Sequence, residues 1–296
     1  MPEVNVADWR LEIIGLVERP VTLSFDDISK LPRQTLQAFH EYAGDPRQPR
    51  VATRRISNVV WGGVPLSRVL SKYAVAIRPQ ASYLWAGGLD RGVYRETPVD
   101  SYVKDLPLDE VLAHAFLAYE LNGAPLMPEH GYPLRLGMPG YYGTNSVKWV
   151  CRLELADARS ESLFTTKLYN DPVPQDDPLF AQGGRPVWRA APESVIVAPA
   201  PNDTISGAAE IWGWAWAHAE IREVEVTVDG GETWYAADVE APTQRSWQKF
   251  KFLWLPEKVG PSVLASRATA RTGDAQPADS TRNCIYMVNV TVAARG

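Results

Sequence analysis

Two stretches of this 296-residue sequence concentrate side chains that do chemistry. The run from His130 to Trp149 reads HGYPLRLGMPGYYGTNSVKW. Its Gly and Pro punctuation excludes a plain helix or strand. A backbone bent in this way exposes N–H groups, which together with Arg135 and Lys148 could cradle an anion such as a phosphate. The plainer alternative is an irregular loop with solvated basic residues. The second stretch, HEYAGDPR at residues 40–47, offers His40, Glu41, Tyr42 and Arg47. With His130 and Asp90 these supply imidazole, carboxyl and phenol groups suited to acid–base work.

Irregular loops of this kind need a rigid frame. WRLEIIGLV at 9–17 and VTLSF at 21–25 read as strands separated by a Pro turn. Ser24 or Asp26 is placed to cap a short helical piece in DDISKLP, which Pro32 ends. Residues 35–44 start with strand-like alternation, and 45–55 are polar, basic and Pro-containing, hence loop. Val64, Leu66, Val69, Leu70 and Tyr73 recur at helical spacing, SYLWAGG at 82–88 reads as a strand, and 110–121 fits either a helix or a strand. Residues 170–193 hold five prolines and a Gly pair, the best linker candidate. Beyond it, short alternating segments separated by turns such as Asp229-Gly230-Gly231 suggest a sandwich of about seven strands over ~100 residues, immunoglobulin-like in architecture. Trp212, Trp214 and Trp216 fall on one face of a strand, read here as the sandwich core rather than an interface.

Composition narrows the class. Hydrophobic residues make up 45% and charged residues 22%, so the chain should bury a real core. The net charge of −5 argues against a generic nucleic-acid or anionic-membrane binder, and no apolar run approaches the ~18 residues of a membrane helix. Cys151 and Cys284 form neither a metal-spaced pair nor a disulfide framework. The N-terminal sequence shows no basic region followed by an apolar stretch, so a cytoplasmic location is expected.

The run His130–Trp149 also resembles the active-site signature of the sulfite oxidase family of molybdopterin enzymes. The similarity extends to ADWRLEIIGLVERPVTLSFDDISKLP, ISNVVWGGVPLSRVL and AYELNGAPLMPEHGYPLR. It continues through SVIVAPAP, GWAWA, VEVTVDGGETW, RSWQKFKFLW and SRATARTGDAQP, which resemble the family's dimerisation domain. The resemblance implies a mostly β, α+β chain: a sulfite-oxidase-type molybdopterin-binding domain at 1–175, a linker at 176–192, and an immunoglobulin-like dimerisation domain at 193–296. By the same resemblance His130, Arg135, Lys148 and, less closely, Asp90 match cofactor-contacting positions. Arg47 matches an arginine that attracts an oxyanion substrate, and Tyr169 matches a tyrosine beside the metal-bound oxygens.

One departure bears on the chemistry. The family's metal ligand is a cysteine in a C-A-G segment, and here His40-Glu41-Tyr42-Ala43-Gly44 puts a tyrosine there. A thiolate is a soft ligand suited to such a metal, whereas a phenol is a hard oxygen donor with a pKa near 10. Two readings follow. In the first, the protein keeps molybdopterin with a degenerate metal site, oxidises sulfite poorly or not at all, and passes electrons to an external acceptor. In the second, the cofactor is lost and the vacated pocket of the family, which Trp61, Trp85, Tyr141, Tyr142 and Tyr169 could help line unless these aromatics are core, takes an apolar organic ligand and serves a cyclase, isomerase, hydrolase or small-molecule binding protein, with His40 and Tyr42 as acid–base groups. Both imply a homodimer with a small-molecule substrate. A purely structural homodimer is the third option.

Overall fold

The computed structural model describes residues 1–44, 52–278 and 282–294. The chain divides into two compact units, one formed by Met1–Leu36 with Val59–Trp188 and the other by Gln37–Asn58 with Arg189–Gly296. The strands Gln34–Glu41 and Ile56–Pro65 carry the chain out of the first unit and back.

The first unit is organised around a five-stranded sheet with the order Val21–Ser24, Arg10–Gly15, Val150–Ala156, Tyr83–Gly88, Val103–Pro107. Arg10–Gly15 runs parallel to Val150–Ala156, and the other pairings are antiparallel. Alternation sends Leu11, Ile13, Leu84, Leu106 and Leu153 into one fully buried cluster. Each such side chain stabilises the fold by about 1.5–3 kcal/mol relative to leaving it exposed. The helix Phe25–Ser29 opens with a capping box in which Ser24 and Asp27 satisfy each other's backbone N–H groups. The helix Leu66–Lys72 buries Leu66, Val69 and Leu70. The ambiguous stretch 110–121 is both structures in series: the helix Leu108–His114 ends at an extended Ala115, and the strand Phe116–Leu121 follows. That strand pairs with Ile56–Pro65 on one side and with Arg135–Gly137.

One consequence of this sheet order positions the site. Gly88 ends its strand opposite Val150, which begins the next, and Gly87 pairs with Val103 on the other side. The segments around Asp90, Tyr102 and Trp149 therefore emerge together at one end of three adjacent strands.

The second unit is a sandwich of two sheets. One has the order Glu193–Ala198, Ala209–Trp216, Gln248–Trp254, Asp238–Val239. The other runs Thr204–Ile205, Met287–Val292, Gly260–Ala270, Ile221–Thr227, Tyr235–Ala236. Ile211, Ala215 and Phe250 from the first sheet pack with Val224, Val226, Leu264 and Val290 from the second. This corrects the reading of Trp212, Trp214 and Trp216 as core. Ile211 and Ala215 take the inward positions of that strand, so the three tryptophans occupy its outward face. There Trp214 stacks on Trp247 with ring centroids 4.6 Å apart, and Lys249 Nζ sits 4.7 Å from the Trp212 ring centroid. Trp216 is nevertheless buried, and its indole N–H is satisfied by donating to Glu41 Oε2 at 2.9 Å.

Candidate molybdopterin site

The irregular run His130–Trp149 folds back beside the end of the sheet. Leu136 N donates to Val147 O at 2.9 Å and Val150 N donates to Leu134 O at 3.0 Å, so its two halves lie side by side. Gly131, at φ +103°, is required at this fold-back: a Cβ there would come within 2.8 Å of Lys148 Cβ and 2.9 Å of its Cα. The same contact seats His130, half-buried at the end of the turn Pro128–His130, next to Lys148.

Four of the expected residues converge in the first unit. Arg135 is buried, donates from Nε to Ser146 O at 3.1 Å, and lies with its guanidinium 5.2 Å from the Trp61 ring centroid. Burial pushes it down to about 10. Lys148 Nζ donates to Glu129 O at 2.7 Å and sits 5.2 Å from the Trp149 ring centroid. Its pKa is lowered first by burial and then by the charge of Arg135, with Asp90 opposing. The Asp90 carboxyl is raised by burial. A Cβ on Gly88 would meet both Asp90 Oδ1 and Lys148 O at 2.6 Å, so the glycine lets these two segments close together.

Tyr169 belongs to the same unit and has φ +56°, a left-handed backbone that is unusual for a bulky side chain. Its carbonyl accepts from Val187 N at 2.9 Å, and its ring lies 5.3 Å from Lys104 Nζ. Tyr102 interacts with both groups. It interacts electrostatically with Tyr169, Asp90 and Arg135, and its hydroxyl meets Thr144 Oγ1 at 2.6 Å. Burial raises its phenol pKa strongly.

His40 and Tyr42 belong to the second unit, and Arg47 lies outside the described residues. The Tyr42 side chain is 62% exposed, and its backbone N donates to Arg55 O at 2.9 Å. Glu41, next to it, is 1% exposed; burial first, then the neighbouring Glu193 carboxyl, hold its pKa well above the usual range.

Several expected lining residues have other roles. Tyr141 and Tyr142 are core side chains, and the Tyr141 hydroxyl donates to Glu110. The Trp85 indole N–H donates to Ala158 O at 2.9 Å, and the ring lines a groove of about 610 Å³ with Arg152, Glu154 and Arg159. Lys104, Tyr102 and Trp149 were not among the expected site residues. Lys104-Asp105 does carry a readable signal, two charges inside an apolar strand VKDLP.

Two buried polar atoms test whether these residues suit a bound cofactor. Asp90 Oδ1 and Trp149 Nε1 have no hydrogen-bond partner among the described residues. Such groups are costly to bury unpaired, and here an acceptor and a donor lie beside the cations Arg135 and Lys148. That combination fits a polar heterocycle with an anionic phosphate. The donor at the expected ligand position does not fit in the same way, because Tyr42 offers a phenol where the resemblance calls for a thiolate.

The fold can now be compared with those of known proteins. Residues 1–164 match the family described as "Oxidoreductase molybdopterin binding domain", and residues 185–292 match the "Mo-co oxidoreductase dimerisation domain". The chain belongs to the molybdopterin oxidoreductase family, in its sulfite oxidase branch. It is 27% identical to nitrate reductase [NADH] 2 of Phaseolus vulgaris over 98% of this chain and 37% of that protein. It is 28% identical to the mitochondrial sulfite oxidase of Homo sapiens over 83% of this chain and 48% of that one. The chain thus spans half or less of the length of these curated relatives. Among solved structures, the sulfane dehydrogenase SoxCD from Paracoccus pantotrophus superposes with a TM-score of 0.81 at 29% identity, over 99% of this chain and 80% of that one.

Proposed function

We propose that the first unit binds molybdopterin through Asp90, His130, Arg135, Lys148 and Trp149, and that the protein oxidises sulfite poorly or not at all. The unpaired buried atoms Asp90 Oδ1 and Trp149 Nε1 carry this reading. They sit with two buried or half-buried cations, an arrangement that stabilises a bound anion more strongly than it would in water. Arg135, pinned by Ser146 O and the Trp61 ring, presents its guanidinium in a fixed orientation. When bound, molybdopterin supplies a molybdenum centre for two-electron, oxygen-atom chemistry. The chain's own contribution is to hold the anionic part, to exclude water with Trp61 and Trp149, and to present the Tyr169 phenol. Arg47 is the anion receptor in this reading. Tyr42 supplies a degenerate metal site in place of the thiolate.

The second unit, a sandwich read here as immunoglobulin-like, makes a homodimer. Support comes from the dimerisation-domain match at 185–292. Electrons leave to an external acceptor. Light scattering at micromolar concentration should give twice the 32.8 kDa chain mass, and a monomer mass would contradict the dimer.

The experiment is sulfite-dependent reduction of an artificial acceptor by protein from a cofactor-competent host. Turnover far below that of a sulfite oxidase assayed alongside is expected, and comparable turnover would refute the degenerate site. Tyr42 itself favours a second reading, a cofactor-free cyclase, isomerase, hydrolase or binding protein. Absence of pterin from such protein would select it.

A further inference from the structure

Lys104 is fully buried and takes no part in the cofactor-binding set. Its strand, Val103–Pro107, lies at the edge of the five-stranded sheet. Its Nζ donates to Phe164 O at 2.9 Å and sits 5.3 Å from the centroid of the Tyr169 ring. The charged groups around it are Asp105 and Arg159. These two are engaged with each other, Arg159 Nε donating to Asp105 Oδ2 at 2.9 Å, which leaves the Tyr169 ring as a face the ammonium serves directly.

The loop that carries Tyr169 is tied down at every turn. Arg159 Nη2 donates to Thr165 O at 2.9 Å, and Thr165 Oγ1 donates to Ser160 O at 2.7 Å. Asn170 Nδ2 donates to Thr165 O at 2.9 Å and Leu168 O at 3.2 Å. The Phe164 ring packs 4.5 Å from the Tyr102 ring centroid. A left-handed backbone at a tyrosine persists only where its surroundings over-determine it, and such positions concentrate at functional sites. Lys104 contributes to both halves of that constraint, since one ammonium grips the loop carbonyl and the face of the aromatic ring.

We propose that Lys104 is a positioning residue for Tyr169: its buried ammonium fixes the ring by a cation–π contact and anchors the loop beneath it through the Phe164 carbonyl. A desolvated contact of this kind is at the strong end of the cation–π range. The arrangement makes the ring a sensor of the charge on Lys104, which burial brings down to about 8. The proposal rests on Tyr169 lining the site, and the two fail separately: the readout below tests the contact, whereas a cofactor assay tests the site.

The experiment is NMR of the full chain with ¹³C-ring-labelled tyrosine incorporated, the Tyr169 signal being assigned by its loss in Tyr169→Phe. In the native protein that signal should show an inflection near pH 8 as Lys104 gives up its proton. Lys104→Gln keeps a donor for the Phe164 carbonyl and removes the charge, so the inflection should vanish while the linewidth stays narrow. Lys104→Met removes both, so the inflection should vanish and the signal should broaden or split. A Tyr169 signal that titrates identically in the native protein and in both variants would overturn the proposal.

Discussion

The burial of Lys104 has a measurable thermodynamic consequence. An ammonium with a pKa of about 8 in the fold and 10.5 in the unfolded chain binds fewer protons when folded. Between those values the unfolded state holds the extra proton, so stability rises with pH across the window and is lowest below pH 8. Each pH unit in the window contributes about 1.4 kcal/mol, so pH 8 to 9.5 contributes about 2 kcal/mol. Lys104→Met removes this titration and leaves the other groups in place, so the difference between the two proteins isolates it. Melting temperatures of native and Lys104→Met protein should be compared at pH 7, 8, 9 and 9.5. Native protein should gain on the variant by about 2 kcal/mol from pH 8 to 9.5, or about 4–8 °C at 2–4 °C per kcal/mol. Below pH 8 the gap should be flat. A constant gap throughout would show that Lys104 titrates normally, and the argument from its burial would fall.

Three further outcomes follow from the same geometry. Arg159→Ala leaves the fully buried Asp105 carboxylate with the Ser160 N–H and without its direct ion-pair partner, and should destabilise the first unit by about 3–5 kcal/mol in chemical denaturation. Glu41→Gln keeps an acceptor for the Trp216 N–H and a donor for Glu193. Because the Glu41 pKa is raised in the fold, native stability falls as pH rises above about 4.3, the unfolded glutamate value. The variant should therefore melt higher than native protein at pH 7, with the advantage disappearing near pH 4. Tyr42→Cys should raise the molybdenum retained per chain, measured by elemental mass spectrometry. An unchanged content would locate the lesion beyond that one residue.

Much of the frame was legible because burial and alternation coincide. Leu11 lies between Arg10 and Glu12 and Leu153 between Arg152 and Glu154, and the structure buries both leucines as that pattern requires. Ser24 was one of two candidate caps, and the Gly and Pro content of the run around Gly131 marked it as irregular without showing how it folds back. The stretch 110–121 was not resolved, because a seven-residue helix directly followed by a six-residue strand erases both periodicities. The tryptophans of Ala209–Trp216 were placed on one face correctly and assigned to the wrong side. Hydrophobicity alone favours burying them inward, yet Ile211 and Ala215 hold the inward positions between the sheets. Arg135 and Lys148 stood out in the site because charge in a Gly- and Pro-rich run is conspicuous. Tyr102 did not, since its part depends on strand register that brings it beside Asp90, Arg135 and Tyr169.

The central claim, that the first unit holds molybdopterin, is tested most directly by pterin content. Protein purified from a cofactor-competent host would be acidified, and the released oxidised pterin quantified by fluorescence against chain concentration. The account predicts stoichiometric pterin, lost when Arg135 or Lys148 is replaced by methionine. Native protein that releases none would contradict it.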